Sequence, residues 1–239
     1  MPESLAGRVV VVTGASRGIG RHLARRLAAD GVRLALVARS ESDLAEAVRE
    51  AEAAGAEALA LPLDVTDRAA FARALDVAAQ RFGRIDAVVL NAGLGYYKPF
   101  HEWTPDEIDA VLNVNLRAVV HGAHAAFPHL ATSRGRLVIV ASDVGRRAIP
   151  NMGPYVAAKH GAVGLAGSLA REWKTHGIGV SAVLPGITDT YFGGGTEGSR
   201  DESWALRPSV VADTVAWLLA QPPHVVVDEL TVHPMGQEF

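Results

Sequence analysis

Residues Arg8–Thr13 read R-V-V-V-V-T, a β-branched run that breaks at once into G-A-S-R-G-I-G. A buried strand that enters a glycine-rich turn and leaves it as a helix is a narrow structural solution. The turn places Gly14, Gly18 and Gly20, with Ser16, Arg17 and Ile19, between that strand and a helix predicted over Ile19–Asp30. Glycine lets the backbone turn tightly and approach a phosphate, and the helix start adds free N–H groups and a positive dipole end. Strand, turn and helix together predict a dinucleotide cradle rather than a plain turn.

The alternation continues down the chain. Further strands are predicted over Arg33–Ala38, Glu57–Leu61, Ile85–Leu90, Leu137–Val140, Ile178–Leu184 and Val225–Val232. Between them lie a Ser40-capped helix stopped by Gly55, an amphipathic stretch over Asp67–Phe82 and a long helix from the T-P-D-E start at Thr104 to about Leu130. One helix carries Tyr155 and Lys159 to about His176, and another follows Arg207-Pro208-Ser209. Seven β-runs separated by helices call for a parallel sheet with right-handed crossovers. The polar, glycine-rich run Ile187–Arg207 is long for a loop and is predicted to be a lid.

Tyr155 and Lys159 are four apart and share a helix face. A phenol titrates near pH 10, and an ammonium one turn away should lower that value. Tyr155 could then exchange a proton with a carbonyl or alcohol oxygen, which Ser142, at the carboxyl end of its strand, could also hold. Y-x-x-x-K by itself arises often by chance; the Ser142 placement and the glycine turn give it weight. At the end of the second strand Ala38 offers no carboxylate, whereas Arg39 follows it and Arg17 lies in the glycine loop. Two guanidinium groups there suit a 2′-phosphate and so predict NADP(H), the alternative being two solvated arginines. Asp64, followed by Val65, either reaches the adenine or serves a turn near Thr66. Asn91-Ala92-Gly93 supplies small residues where backbone would pass close to a cofactor. Tyr96, Tyr97, Trp103, Met152, Tyr191 and Phe192 are candidate pocket residues for an apolar or ring-bearing carbonyl compound, or else packing residues.

Composition narrows the classes. A chain of 239 residues, 49% hydrophobic and 21% charged, suits one domain over residues 1–239. A net charge of −3 gives no case for nucleic acid or an anionic membrane, and the lack of cysteine excludes disulfides and thiolate ligands. No apolar run reaches the roughly 18 residues of a membrane span. Met1-Pro2-Glu3-Ser4 does not read as a signal peptide, so a cytoplasmic protein is expected. His121, His124 and His129 lack carboxylate partners in the pattern and are read as interface or solvated histidines, with no metal site.

These residues together resemble the short-chain dehydrogenase/reductase family from Val9 to about Val232. Thr13–Gly20 is similar to its cofactor loop and Asn91-Ala92-Gly93 to its NAG element, although Leu90 stands where that family often has another Asn. Asn115, Ser142, Tyr155 and Lys159 fall on its catalytic tetrad, and Pro185-Gly186 with Thr188 and Thr190 on its nicotinamide-side segment. The resemblance implies a Rossmann-like, doubly wound α/β fold with a seven-stranded parallel sheet, order 3-2-1-4-5-6-7, and helices on both faces. It implies hydride transfer with Tyr155 as acid/base, Lys159 tuning it and holding the nicotinamide ribose, Ser142 orienting the substrate oxygen and Asn115 supporting a proton relay. It also implies homodimers or homotetramers packed through the helices from Thr104 and Pro154. The alternative is an NADP(H)-binding sensor or scaffold without turnover, against which the intact tetrad speaks.

Overall fold

The structure, a computed structural model, describes residues 3–237. Met1 and Pro2, where the signal-peptide reading begins, and Glu238 and Phe239, at the far end of the proposed 1–239 domain, lie outside the described residues. The strands are β1 (Val9–Thr13), β2 (Arg33–Ala38), β3 (Ala58–Pro62), β4 (Ala87–Leu90), β5 (Arg136–Val140), β6 (Gly179–Pro185) and β7 (Glu229–Val232). The helices are α1 (Gly18–Ala29), α2 (Glu41–Ala53), α3 (Arg68–Phe82), α4 (Pro105–Leu112), α5 (Ala118–Ser133), α6 (Gly153–Glu172) and α7 (Pro208–Leu219). All strand pairings are parallel and the order is β3-β2-β1-β4-β5-β6-β7, as predicted.

The central strands are apolar throughout because both their faces are covered. On β1, Val9 and Val11 join a core with Phe71 and Leu75 of α3, Leu130 of α5 and Val163 of α6. Val10 and Val12 point the other way, to Leu23 and Leu27 of α1, Leu44 of α2 and Val215 of α7. The edge strand β3 is half exposed and ends at Pro62, where a missing N–H harms no ladder.

Several predicted ends move by a few residues, and two elements change in kind. The last strand starts at Glu229, not Val225. Buried Arg136 takes the carbonyls of Gln221 (2.7 Å), Pro222 (2.8 Å) and Val225 (3.1 Å), which holds that segment as a loop. The long helix from Thr104 is not uniform: a π-turn over Asn113–Arg117 divides α4 from α5. Asn115 causes it, since its side-chain Nδ2 takes the Val111 carbonyl at 2.9 Å. The Ala118 N–H reaches back to Asn113 instead. Such turns mark functional positions more often than chance.

Arg136→Met should leave three carbonyls of the α7–β7 loop without their donor. A hydrogen bond to a charged group contributes about 1.5–3 kcal/mol, so urea unfolding should show a loss of roughly 2–3 kcal/mol. Amide exchange should accelerate in residues 221–228.

Candidate active site

Parallel strands bring the carboxyl ends of β1, β4, β5 and β6 to one edge of the sheet. There Thr13 Oγ1 accepts from the backbone N–H groups of Asn91 (2.9 Å) and Ala92 (3.0 Å) and donates to the Val89 carbonyl (3.3 Å). Asn91 Nδ2 donates back to the carbonyls of Thr13 (2.9 Å) and Gly14 (3.3 Å). Asn91 therefore shapes the loop with its own amide. The sequence reading placed Thr13 in the cofactor loop but missed this anchoring role; its only local signal is a hydroxyl ending a β-branched run.

The glycine turn is tight for a stated reason. Gly14 has φ +66°, and a Cβ there would lie 2.9 Å from Ala92 Cα. At Gly20 a Cβ would lie 2.2 Å from the Gly14 carbonyl oxygen. Ser40, Asp67 and Thr104 cap α2, α3 and α4, but α1 begins beyond Arg17 with no side-chain cap and no acidic residue in its first turn. Its first N–H groups and positive dipole end are thus left for an anion, so these residues fit a dinucleotide pyrophosphate. Ser16 is buried beside Gly14, and Ile19 packs into the core. The Thr190 methyl comes within 3.4 Å of where a Gly18 Cβ would stand, which brings the segment after β6 over the turn.

On the adenine side Arg39 is exposed, with Nη1 3.8 Å from Asp64 Oδ2. Asp64 accepts from the Thr66 N–H (2.9 Å) and hydroxyl (2.8 Å), so it makes the turn that was its simpler reading. Arg17 lies over the Tyr191 ring, 5.6 Å from its centre. Val65 lines a small cavity with Thr13, Leu90, Ala92 and Val114.

The four chemical residues meet between α6, the π-turn and β5. Tyr155 and Lys159 are buried, at 9% and 4% exposure. Lys159 Nζ donates to the Val140 carbonyl at 2.9 Å and lies 5.5 Å from the centre of the Tyr155 ring. Ser142 Oγ donates to Asp143 Oδ1 at 3.1 Å and lies 3.4 Å from the Pro185 carbonyl. Asn115 is fully buried, and its Nδ2 also donates to the Leu94 carbonyl at 2.6 Å. Its Oδ1 is buried with no partner. A Cβ built on Gly93 would lie 2.9 Å from that oxygen and 3.9 Å from Lys159 Nζ, so glycine keeps the space beside both open.

The electrostatics correct one expectation. The Tyr155 phenol stands above its ordinary value, not below it. Burial pushes the phenol above its ordinary value; Ser142 opposes this and the Asp143 carboxylate adds to it. Burial also pulls the Lys159 ammonium down, to about 8. Desolvation dominates because the contact of Lys159 is a neutral carbonyl and no counter-charge offsets its burial. Asp143, buried beside Ser142, was not foreseen.

The candidate pocket residues divide. Phe192 stands 4.9 Å from the Tyr155 ring centre and fills a notch at Gly95, where a Cβ would meet its Cζ at 2.2 Å. Met152 is buried in one cluster with Tyr155, Trp103 and Val144. Trp103 is a packing residue: its indole N–H donates to the Lys98 carbonyl at 3.0 Å and its ring meets Tyr96 edge-on at 5.8 Å. Tyr97 is 65% exposed. Tyr191 faces Arg17 rather than Tyr155. The segment over residues 187–207 closes on itself, with Thr188 bridged to Leu206 and the Leu206 N–H donating to the Ile187 carbonyl at 2.8 Å. Thr188 Oγ1 donates to the Gly186 carbonyl at 2.9 Å. Glu197 reaches His22 of α1 at 2.7 Å.

A parallel sheet of this order, with a glycine turn at the end of β1, places the chain among the Rossmann-like nucleotide-binding folds. Residues 8–198 match the profile of the short chain dehydrogenases, and the chain belongs to that family of oxidoreductases. It is 37% identical over 239 residues to a cis-4-hydroxycyclohexanecarboxylate dehydrogenase of Sinomonas cyclohexanicum, covering 95% of each. It is 32% identical over 98% of its length to the glycine betaine reductase ATRR of Emericella nidulans, of which it spans only 19%. An alcohol dehydrogenase from the archaeon Thermococcus sibiricus, solved with 5-hydroxy-NADP, superposes with a TM-score of 0.92 at 37% identity, covering 97% of this chain and 98% of that one. Other solved structures that match hold NADP or NAD. Among the described residues no helix is long and apolar enough to cross a membrane.

The lysine sets a pH signature. With a folded value near 8 against an unfolded value near 10.5, the unfolded chain binds more protons between these limits. Stability should therefore rise with pH through that window. Urea unfolding of Lys159→Met should lack this rise, so native stability should gain on that of the variant between about pH 8 and about pH 10.5.

Proposed function

We propose that the chain moves a hydride between NADP(H) and a carbonyl/alcohol pair, with Tyr155 as the general acid/base. The observation that carries this reading is the joint burial of Tyr155 and Lys159 beside Ser142, with Asn115 Oδ1 left unpartnered next to them. Burying such groups is unfavourable unless a ligand or solvent completes them. The bound nicotinamide supplies or accepts the hydride.

The protein's part follows from its own groups. In the reducing direction Tyr155, whose burial keeps it protonated, gives its proton to the oxygen as negative charge develops there. Ser142 holds the same oxygen. Lys159, still largely charged at neutral pH, holds the ribose hydroxyls and stabilises the phenolate left on Tyr155. Asn115 Oδ1 holds a proton carrier next to Lys159, so that Tyr155 can be reprotonated from solvent. Gly14, Gly18 and Gly20, with Ser16 and Ile19, would hold the pyrophosphate, Val65 and Ala92 would hold the adenine, Asn91 and Gly93 shape the loop beneath, and Pro185, Gly186, Thr188 and Thr190 would hold the nicotinamide side.

NADP(H) is preferred because Ala38 neither binds a ribose diol nor repels a phosphate, Arg39 follows it and Arg17 lies exposed in the glycine turn. The Arg39–Asp64 contact at 3.8 Å is loose and exposed, so a phosphate can displace it. Residues 187–207 act as the lid of a single dinucleotide-binding and catalytic domain, with Phe192 covering Tyr155. Apolar Phe192, Met152 and the Tyr96 edge suit a ring-bearing secondary alcohol or ketone. The 37% identical relative that dehydrogenates a hydroxycyclohexane carboxylate supports that class.

Tyr155→Phe removes one proton and keeps the ring. General acid catalysis contributes about 10²–10⁴ in rate, so turnover should fall at least that far while cofactor affinity holds; near-normal turnover would remove Tyr155 from this role. For the cofactor, two charged hydrogen bonds at partly exposed sites should favour NADPH over NADH by roughly 10²-fold. Arg39→Ala should lose about tenfold in NADPH affinity with NADH unchanged. Fluorescence titrations giving dissociation constants within about threefold of each other would overturn the assignment of Arg17 and Arg39.

A further inference from the structure

Past β7 the chain turns back and buries Gln237 at the rear of the site. Gln237 is 6% exposed although it is polar and near the chain end. Its Nε2 donates to Asp143 Oδ2 at 2.6 Å and its Oε1 accepts from the Ile187 N–H at 2.8 Å. The two partners fix which way the carboxamide faces, since a carboxylate needs the NH₂ and a backbone N–H needs the oxygen. The surrounding backbone is fitted to it. A Cβ on Gly186 would lie 2.2 Å from Gln237 Oε1. The neighbouring Gly236 N–H donates to the Ser203 carbonyl at 2.9 Å, at the far foot of the 187–207 segment.

We propose that Gln237 is a positioning residue of the active site, tying Asp143, and through it Ser142, to the start of the lid at Ile187. This rests on the reading of Ser142 and Tyr155 given above. Asp143 Oδ1 receives the Ser142 hydroxyl and Oδ2 receives both Arg147 at 2.5 Å and Gln237. A carboxylate held on both oxygens has one orientation, and it fixes the rotor of the hydroxyl donating to it. The same carboxamide holds the first residue after the Pro185-Gly186 end of β6. One side chain thus sets the spacing between the Ser142 strand end and the nicotinamide-side segment, which belong to neighbouring strands with no covalent link nearby. A misplacement of about 1 Å at such a point can lower turnover about 10²-fold.

The test uses the full chain. Gln237→Glu keeps the shape and the acceptor for Ile187 but sets a second carboxylate against Asp143. Its kcat should fall at least about tenfold, with KM and cofactor affinity near the native values. Adding Asp143→Asn to Gln237→Glu restores a donor–acceptor pair in the reverse direction and should recover most of the lost kcat. Equal kcat in Gln237→Glu and native protein overturns the proposal. So does a loss of kcat that tracks a loss of cofactor binding, or a double variant no better than the single one. A separate arm needs no substrate: in Gln237→Met the Ile187 amide should exchange at least about tenfold faster. Unchanged exchange there overturns the tie itself. Native protein that turns over no carbonyl or alcohol defeats the functional reading, and the exchange result then decides the tie alone.

Discussion

Parallel pairing governs this molecule. Every strand of the sheet runs the same way, so every carboxyl end falls on one edge, and the crossovers cover both faces. The edge is held in register at its centre by Thr13 and Asn91, which bond across from β1 to β4 in both directions. The glycine turn, the Asn91–Gly93 loop, Ser142 and the Pro185–Thr190 segment all hang from strand ends that this arrangement aligns. Losing the Thr13–Asn91 bonds would loosen each of them together.

Dehydration is the second constraint. Tyr155 and Lys159 are buried, with Phe192 packed on the Tyr155 ring, and both are pushed toward their neutral forms. That is the reverse of the simple picture of an ammonium acidifying a phenol. A tyrosine that resists ionisation keeps its proton until negative charge builds on a substrate oxygen beside it and makes that oxygen basic enough to take it. Asn115 shows the same economy of groups. Its amide bends the helix into a π-turn by taking a ladder carbonyl, and its oxygen is left facing the space that Gly93 keeps open.

The fold was legible because its signals are local. β-Branched runs, helix caps at Ser40 and Thr104, and glycines at fixed offsets are read without knowing any distant partner. The strand order came from the resemblance, since seven parallel strands alone permit other orders. The errors share one cause, which is contact between residues far apart in sequence. Arg136 holds residues 221–225 out of β7. Thr13 meets Asn91 across 78 positions and Asp143 meets Gln237 across 94. The shift on Tyr155 depends on burial, and Phe192, which packs on its ring, comes from another loop. Asn115 is the exception: its amide acts within its own helix, on the Val111 carbonyl, and the π-turn forms there.

Hydride transfer itself is tested most directly with isotope. NADPH carrying deuterium at the reactive C4 position would be incubated with the protein and a panel of cyclic and aromatic ketones, and the products examined by mass spectrometry. Deuterium bonded to the carbinol carbon of a secondary alcohol is the expected result. Cofactor that binds tightly yet passes deuterium to no member of the panel, with no secondary alcohol oxidised in the reverse direction, would contradict it and leave a binding protein without turnover.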